Sequence, residues 1–352
     1  MDVETALDMI KSEPTEEIVT EDELRSLLES NSHPTHYIGL EISGMLHLGH
    51  LLVGGKKIND FAKAGAKTNI LLADWHSMAN NKMGGDWERI LKAAEFYKKV
   101  FGIFCPDAKI TLGSELYRNN DEYWKTVMLM ARKTTMARAT RTLIIQGRSE
   151  KDTLHVSQYI YPIMQAADIN ELDVDIPHAG IDQRRINVLA KEMFSDMGFK
   201  KVVPVHHHLL QSLAEPPKDM PKGTKEEIVA AMKMSKSKPG SAIPIIATDE
   251  EIAKTMKSAW CPVKVTEENP VLELCRYVIF PISSKLKIER KKEYGGDMEY
   301  ESYKELEKDY AAGKLHPVDL KNAVSASIIS MLEPVRRGIK GHRELLEVFK
   351  EN

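Results

Sequence analysis

Along the first two thirds of the chain, short apolar runs alternate with stretches of helical period. Residues 37–42 form a mostly apolar run that Ser43-Gly44 breaks, which predicts a buried strand. From Leu46 the period changes, and Leu48, Leu51, Leu52, Ile58, Phe61 and Ala62 mark one face of a helix. Residues 66–74 predict a second strand, 87–104 an amphipathic helix and 108–112 a third strand. Residues 123–145 and 155–172 read as helices, 174–180 as a strand turning through glycine into a helix, and 201–205 as another strand. This alternation predicts the α/β class, a Rossmann-like, doubly wound parallel sheet. Ligands of such sheets sit beyond the carboxyl ends of the strands, here residues 41–44, 74–76 and 113–117. Beyond about residue 248 the strand signals stop. Residues 250–260, 271–280, 301–312, 318–337 and 342–349 read as helices, predicting a second, all-helical domain. Residues 1–31 read as a helical N-terminal extension, so the expected division is 1–31, 32–247 and 248–352.

Composition narrows this picture. A chain of 352 residues, 42% apolar and 29% charged, is an ordinary globular protein long enough for two domains. The longest apolar runs fall far short of a membrane span, and the N-terminus is acidic and unlike a signal peptide. Cys105, Cys261 and Cys275 form no CxxC pair, which points away from zinc or disulfides and toward a reducing cytoplasm. With a net charge of −3, any nucleic-acid binding must come from local basic patches.

Several clusters carry candidate chemistry, each beside a plainer reading. His47 and His50 lie three apart at a helix start, where unpaired N–H groups and the dipole favour an anion, and Gly49 leaves a flat surface between them. The alternative is two solvated histidines. Tyr161, Gln165 and Asp168 fall at i, i+4 and i+7 on an otherwise apolar helix, which suggests a small-molecule pocket rather than a wet face. Asp182 and Gln183 follow a strand and glycine turn, where Asp182 is either a ribose ligand or a helix N-cap. His206-His207-His208 has no supporting metal-ligand spacing, and we read it as non-metal. Arg132, Lys133, Arg138, Arg141 and Arg148 go unbalanced by acids for several turns, as a solvated face or an RNA contact. Lys285, Lys287, Arg290, Lys291 and Lys292 form a second basic strip ahead of Tyr294. Residues 216–224 read as a mobile loop. The lysine–serine stretch Lys233-Met234-Ser235-Lys236-Ser237 is either a linker or a lid closing on polyphosphate.

His47-Leu48-Gly49-His50 and Lys233-Met234-Ser235-Lys236-Ser237 together resemble the paired signatures of class I aminoacyl-tRNA synthetases. From about Tyr37 to Arg337 the chain is similar to the tyrosyl-tRNA synthetases of the archaeal and eukaryotic type. The resemblance places Tyr37 and Asp168 at the substrate phenol, Tyr161, Gln165 and Gln183 at its α-amino group, and Glu41 beside the amino acid. It puts Leu71 and His76 in the pocket wall, and His47, Gly49, His50, Asp182, Lys233, Ser235 and Lys236 around ATP. Of these, His47, His50, Lys233 and Lys236 would be catalytic. Tyr294 and Asp319 match the positions that stack on and read the first anticodon base, and Arg141 and Arg184 match positions near the tRNA acceptor end. Three departures are Leu48 for the usual isoleucine, Ala179-Gly180 for a Gly-Gly pair, and an insert at residues 216–232 longer than some relatives carry.

The resemblance implies a tyrosine–tRNA ligase whose partners are L-tyrosine, ATP and tRNA(Tyr). Magnesium would accompany the pyrophosphate, with no metal bound by the protein itself. It also implies a cytoplasmic homodimer pairing through residues 118–150. A tryptophanyl-tRNA synthetase is the nearest alternative, since it shares fold and reaction. A silent RNA-binding relative would have lost the histidines or loop lysines, and a generic nucleotidyltransferase would lack the helical domain.

Overall fold

The computed structural model describes the chain apart from residues 149–151, 218–223, 235–239 and 351–352, and for residues 144, 225–227 and 230 the backbone alone. Its main sheet contains Thr15–Ile18 (β1), Thr35–Glu41 (β2), Lys67–Ala73 (β3), Lys109–Leu112 (β4), Ile176–Gly180 (β5) and Val205–His207 (β6). Their order is β1-β6-β5-β2-β3-β4, with β2 to β6 parallel and β1 antiparallel on the β6 edge. Strand order therefore reverses between β2 and β5, and the carboxyl ends of those two strands flank the crevice where a doubly wound sheet binds ligands.

Period-two alternation assigns the two faces of this sheet. Ile38, Ile70 and Leu72 join the core that includes helix Trp87–Phe104. Tyr37 and Leu71 belong to the opposite core, with Met164 and Ala167 of helix Val156–Glu171. Ile38 pairs with Ile70 and Gly39 with Leu71, so Tyr37, Gly39 and Leu71 share one face.

The C-terminal region is built mainly of helices, among them Asp249–Ser258, Tyr303–Ala311 and Pro317–Ile339. In the last of these, Leu320, Val324, Ile328, Leu332, Val335 and Ile339 recur at three or four residues and are all buried. They merge with Trp87–Phe104 into one continuous core, each full burial contributing about 1.5–3 kcal/mol. Pro317 opens that helix, and the His316 side chain caps it by accepting from the Val318 amide.

Four local expectations are corrected. The N-terminal stretch is not helical throughout: between helices Val3–Lys11 and Glu21–Ser30 it supplies β1. Four residues, Thr-Glu-Glu-Ile, are too few for a pattern to announce a strand. β6 begins where the expected strand ended, which places His206 and His207 inside the sheet. The stretch 123–145 is broken after helix Asp121–Lys133, because Thr135 turns its hydroxyl to the Arg138 amide and starts the separate helix Met136–Arg141. The C-terminal region contains one antiparallel hairpin, Leu286–Ile288 with Met298–Tyr300, where Leu286 and Ile288 are buried and Lys287 is exposed.

Candidate active site

The turn after β2 depends on Gly44, whose φ of 118° disfavours any side chain. Tyr97 pins this turn by donating its hydroxyl to the Gly44 carbonyl at 2.7 Å. His47 then makes an antiparallel bridge with Pro244, and the following helix opens as a π-turn, Gly49–Gly55. Such turns occur often at functional sites. The His47 and His50 rings lie with centroids 4.0 Å apart. The His47 amide donates to His50 Nδ1 at 3.3 Å, and the Gly49 amide donates to His47 Nδ1 at 3.2 Å. Both Nδ1 atoms accept, which leaves the ring proton on Nε2.

A cleft of about 440 Å³ opens here, lined by Glu41, His47, Gly49, His50, His207 and Lys233 among others. Asp182, on the turn Ile181–Gln183 after β5, caps no helix and meets the cleft through Lys233. Its carboxylate holds Lys233 Nζ at 2.6 Å, and that negative charge raises the lysine pKa. Glu41 accepts from Asn80 Nδ2 at 2.7 Å and lies 3.3 Å from Lys82 Nζ, while burial raises its carboxyl pKa. Ser235 and Lys236 lie outside the described residues.

Beneath the cleft is a buried cluster of polar side chains. Asp168 is buried, accepts from the Tyr123 hydroxyl at 2.8 Å, and has no partner for Oδ2. His76 Nε2 lies 3.6 Å from that oxygen, too far for a hydrogen bond, and both His76 ring nitrogens are unpartnered. Gln165 Oε1 is buried without a partner as well, and the Tyr117 hydroxyl, buried beside Asp168 and Tyr123, reaches neither with hydrogen-bond geometry. His76 stands edge-on to Tyr161 at 4.6 Å, and Tyr117 stacks on Tyr123 at 4.6 Å, so these groups are contiguous. Leaving such an atom unpaired costs about 1–3 kcal/mol, so the pocket is built for a ligand with polar groups of its own.

Burial pushes the Asp168 carboxyl up to about 8, against the opposing hydroxyls of Tyr123 and Tyr117. Near neutral pH it keeps its proton and can donate as well as accept. Burial alone drives the His76 ring down to about 4, so that imidazole is neutral. Gly39 makes room for Tyr37: a Cβ there would sit 2.5 Å from the Tyr37 hydroxyl. Gln165 Nε2 donates to Gln183 Oε1 at 3.4 Å, and Gln183 Nε2 donates to the Ile145 carbonyl at 2.9 Å. Tyr37, Tyr161, Gln165, Asp168 and Gln183 thus come from one strand, one helix and one turn to a shared site.

Comparison with known proteins identifies the scaffold. The family model of class I tRNA synthetases (W and Y) matches residues 29–333. A tyrosine–tRNA ligase of Thermococcus sibiricus is 44% identical over 99% of this chain and 98% of its own. The chain belongs to the class I tRNA synthetases of the tyrosine–tRNA ligase family. The tyrosyl-tRNA synthetase of Pyrococcus horikoshii, solved with L-tyrosine, superposes with a TM-score of 0.93 at 41% identity, covering 99% of each chain. The tryptophanyl-tRNA synthetase of Plasmodium falciparum shares the fold alone, at 16% identity and a TM-score of 0.68 over 99% of this chain and 90% of that one.

Within this synthetase scaffold the expected RNA-facing residues lie apart from the cleft. Arg141 and Arg184 line a groove of about 480 Å³ with Arg138 and Arg185. The basic run is less free than its sequence implies. Arg184 Nε is 2.8 Å from Glu17 on β1, Arg138 pairs with Glu192, and Arg148 turns inward onto Asn80. In the hairpin, Arg290 donates to the Gly296 and Lys314 carbonyls, fastening the tip to the segment ahead of helix Pro317–Ile339. Tyr294 stands at that tip with 64% of its surface exposed, and Asp319 lies in the first turn of the helix.

Sequence reasoning missed Tyr117, Tyr123, Asn80 and Lys82. Tyr117 had one signal, its place beyond the end of β4 in a sheet that binds at strand ends. Tyr123 is indistinguishable in sequence from an ordinary core tyrosine.

Proposed function

We propose that this synthetase activates L-tyrosine with ATP and transfers the tyrosyl group to the 3′ end of tRNA(Tyr). The observation that carries the reading is the set of unpaired buried groups around Asp168, which lies where a phenol hydroxyl would donate and accept at once. An indole offers a single N–H donor and would leave more of them unsatisfied.

In the first step a tyrosine carboxylate oxygen attacks the α-phosphorus of ATP, and the bond to the bridging oxygen breaks to release pyrophosphate. Positioning and charge stabilisation carry this step, and no protein nucleophile takes part. Tyr37 and Asp168 hold the phenol; Tyr161, Gln165 and Gln183 hold the ammonium; Glu41 stands beside the amino acid. His47 and His50 present Nε2–H groups to the phosphates across the bare surface of Gly49. Lys233 leaves Asp182 for the phosphates as charge moves to the pyrophosphate, and Asp182 then accepts from a ribose hydroxyl. Lys236 and Ser235 add to the same stabilisation from the loop. Magnesium arrives on the ATP phosphates as part of the substrate, so its ligands there are phosphate oxygens. In the second step a terminal ribose hydroxyl of the tRNA attacks the carbonyl carbon, and AMP leaves.

Residues 32–247 form the catalytic unit and 248–352 the anticodon-reading unit, with Tyr294 stacking on the first anticodon base and Asp319 reading it. Arg141 and Arg184 attend the acceptor end. Two copies pair through residues 118–150, where Met128 and Met136 are 65% and 64% exposed. The compartment is the cytoplasm. Tyrosine-dependent ATP–pyrophosphate exchange, run against all twenty amino acids, tests the reading. Exchange with tryptophan in place of tyrosine would overturn it, and sizing in solution tests the dimer.

A further inference from the structure

Three histidines on neighbouring strands form a chain that ends in the nucleotide cleft. His36 on β2, His178 on β5 and His207 on β6 share a sheet face, since Ile38 pairs with His178 and Gly180 with His207. That face lies under the helix that follows Gly49. Phe61 stacks on His36 at 3.9 Å, and a Cβ on Gly54 would lie 3.9 Å from His207 Cε1. His36 Nε2 is 3.1 Å from His178 Nδ1, and His178 Nε2 is 2.8 Å from His207 Nδ1.

Each of these contacts takes one proton, so the ring at one end dictates the tautomers of all three. The far end is His36 Nδ1, which is buried without a partner. An orphaned buried N–H is rarer than an orphaned lone pair. His36 therefore carries its proton on Nε2 and donates to His178, and His178 carries its own on Nε2 and donates to His207. His207 is left with Nε2–H. Lys57 favours the same direction: its ammonium stands 5.8 Å from the Phe61 ring, at the His36 end, and N–H dipoles pointing away from a cation are stabilised. Burial lowers the pKa of all three rings, with His207 near 3, so they stay neutral beside Asp182, His206, His208 and Lys57.

We propose that this relay positions the nucleotide by fixing His207 as a permanent Nε2–H donor that holds a lone pair of the bound ATP. The contact to ATP rests on the functional reading above, whereas the tautomer does not. Long-range 1H–15N spectra of histidine-labelled protein, assigned with His207→Gln, read that tautomer without any activity. The expected result is protonation at Nε2 alone from about pH 6 to 8. A proton on Nδ1, or a ring that titrates in this range, overturns the relay.

In exchange kinetics His207→Leu raises KM for ATP about tenfold and leaves KM for tyrosine unmoved. His207→Gln keeps an N–H and stays near the parent, and His178→Leu, which frees the tautomer, gives an intermediate rise. Equal damage from both substitutions at 207, or KM rising for both substrates, marks a purely structural residue and overturns the proposal. Deaza and 2′-deoxy analogues of ATP identify the acceptor. One of them costs the parent enzyme the same tenfold and His207→Leu nothing more. Independent losses with every analogue overturn the contact. Absence of any tyrosine-dependent exchange in the parent protein would instead strike the functional reading and leave the spectra to decide the relay.

Discussion

The pocket at Asp168 and the hairpin tip at Tyr294 both offer a tyrosine and a carboxylate, yet they differ in what water does for them. Asp168, His76 and Tyr117 are cut off from solvent and keep polar atoms without partners. Tyr294 is 64% exposed and Asp319 lies at a helix start, where water serves each group. An unmet demand inside a protein specifies its ligand, because each unpaired atom carries a cost that only a matching group removes. A satisfied surface makes no such demand, so the tip gains meaning only from the RNA that would cover it.

The largest effect should come from neither place but from Lys233 in the cleft. Lys233→Met is expected to slow tyrosyl-adenylate formation about 10²–10³-fold in single-turnover assays, with tyrosine binding little changed. Asp168→Ala should lower kcat/KM for tyrosine about a hundredfold and leave KM for ATP in place, since it strips the phenol of its buried partner. An unchanged preference for tyrosine over phenylalanine in that variant would remove Asp168 from the pocket. Tyr294→Ala should act only on charging, lowering kcat/KM for tRNA about tenfold while exchange is untouched. A loss of exchange there would mean that the two regions are not separable.

The smallest effect is one of pH. The Asp168 carboxyl lies at about 8 when folded against 3.8 as its ordinary value, so the native state keeps a proton that the unfolded chain releases. Stability from this group is therefore full below about pH 4, falls as pH rises to about 8, and then levels off. Thermal melts of the unliganded protein should show Asp168→Asn gaining on the parent across that window. Parallel curves would place the carboxyl in the ordinary range.

His207 and His208 repeat the contrast at single-residue scale. His207 is buried against His178 and held neutral, whereas Glu16 and Glu273 flank His208 and raise it to about 9 against its burial. From sequence, consecutive histidines of the triplet were expected on alternating faces, with no sign of which would be charged. Neighbours at the end of β6 go to different surroundings, and the partners waiting there decide the charge.

The strand–turn–helix at Gly44 and the stripe Tyr161, Gln165 and Asp168 were legible because each depends on local period and on glycine at one φ. The paired signatures were legible as a resemblance to a family. β1 was not, being four residues stabilised by pairing with β6, whose His207 lies 192 positions after its partner Thr15. The partners of the basic residues were hidden for a related reason. Glu192, the counter-charge of Arg138, comes from another element and leaves no trace near the run in sequence, as Glu17 does for Arg184.

By itself, then, the sequence determined the alternation of strands and helices, the glycine turn and the residues lining one helical face, since these follow from forces acting within a few residues. Tertiary structure alone decided which polar atoms went without partners, that Asp182 holds Lys233 and not a helix end, and which imidazoles stay neutral. Those outcomes depend on solvent exclusion and on charges brought together from distant segments, and neither exists until the chain has folded.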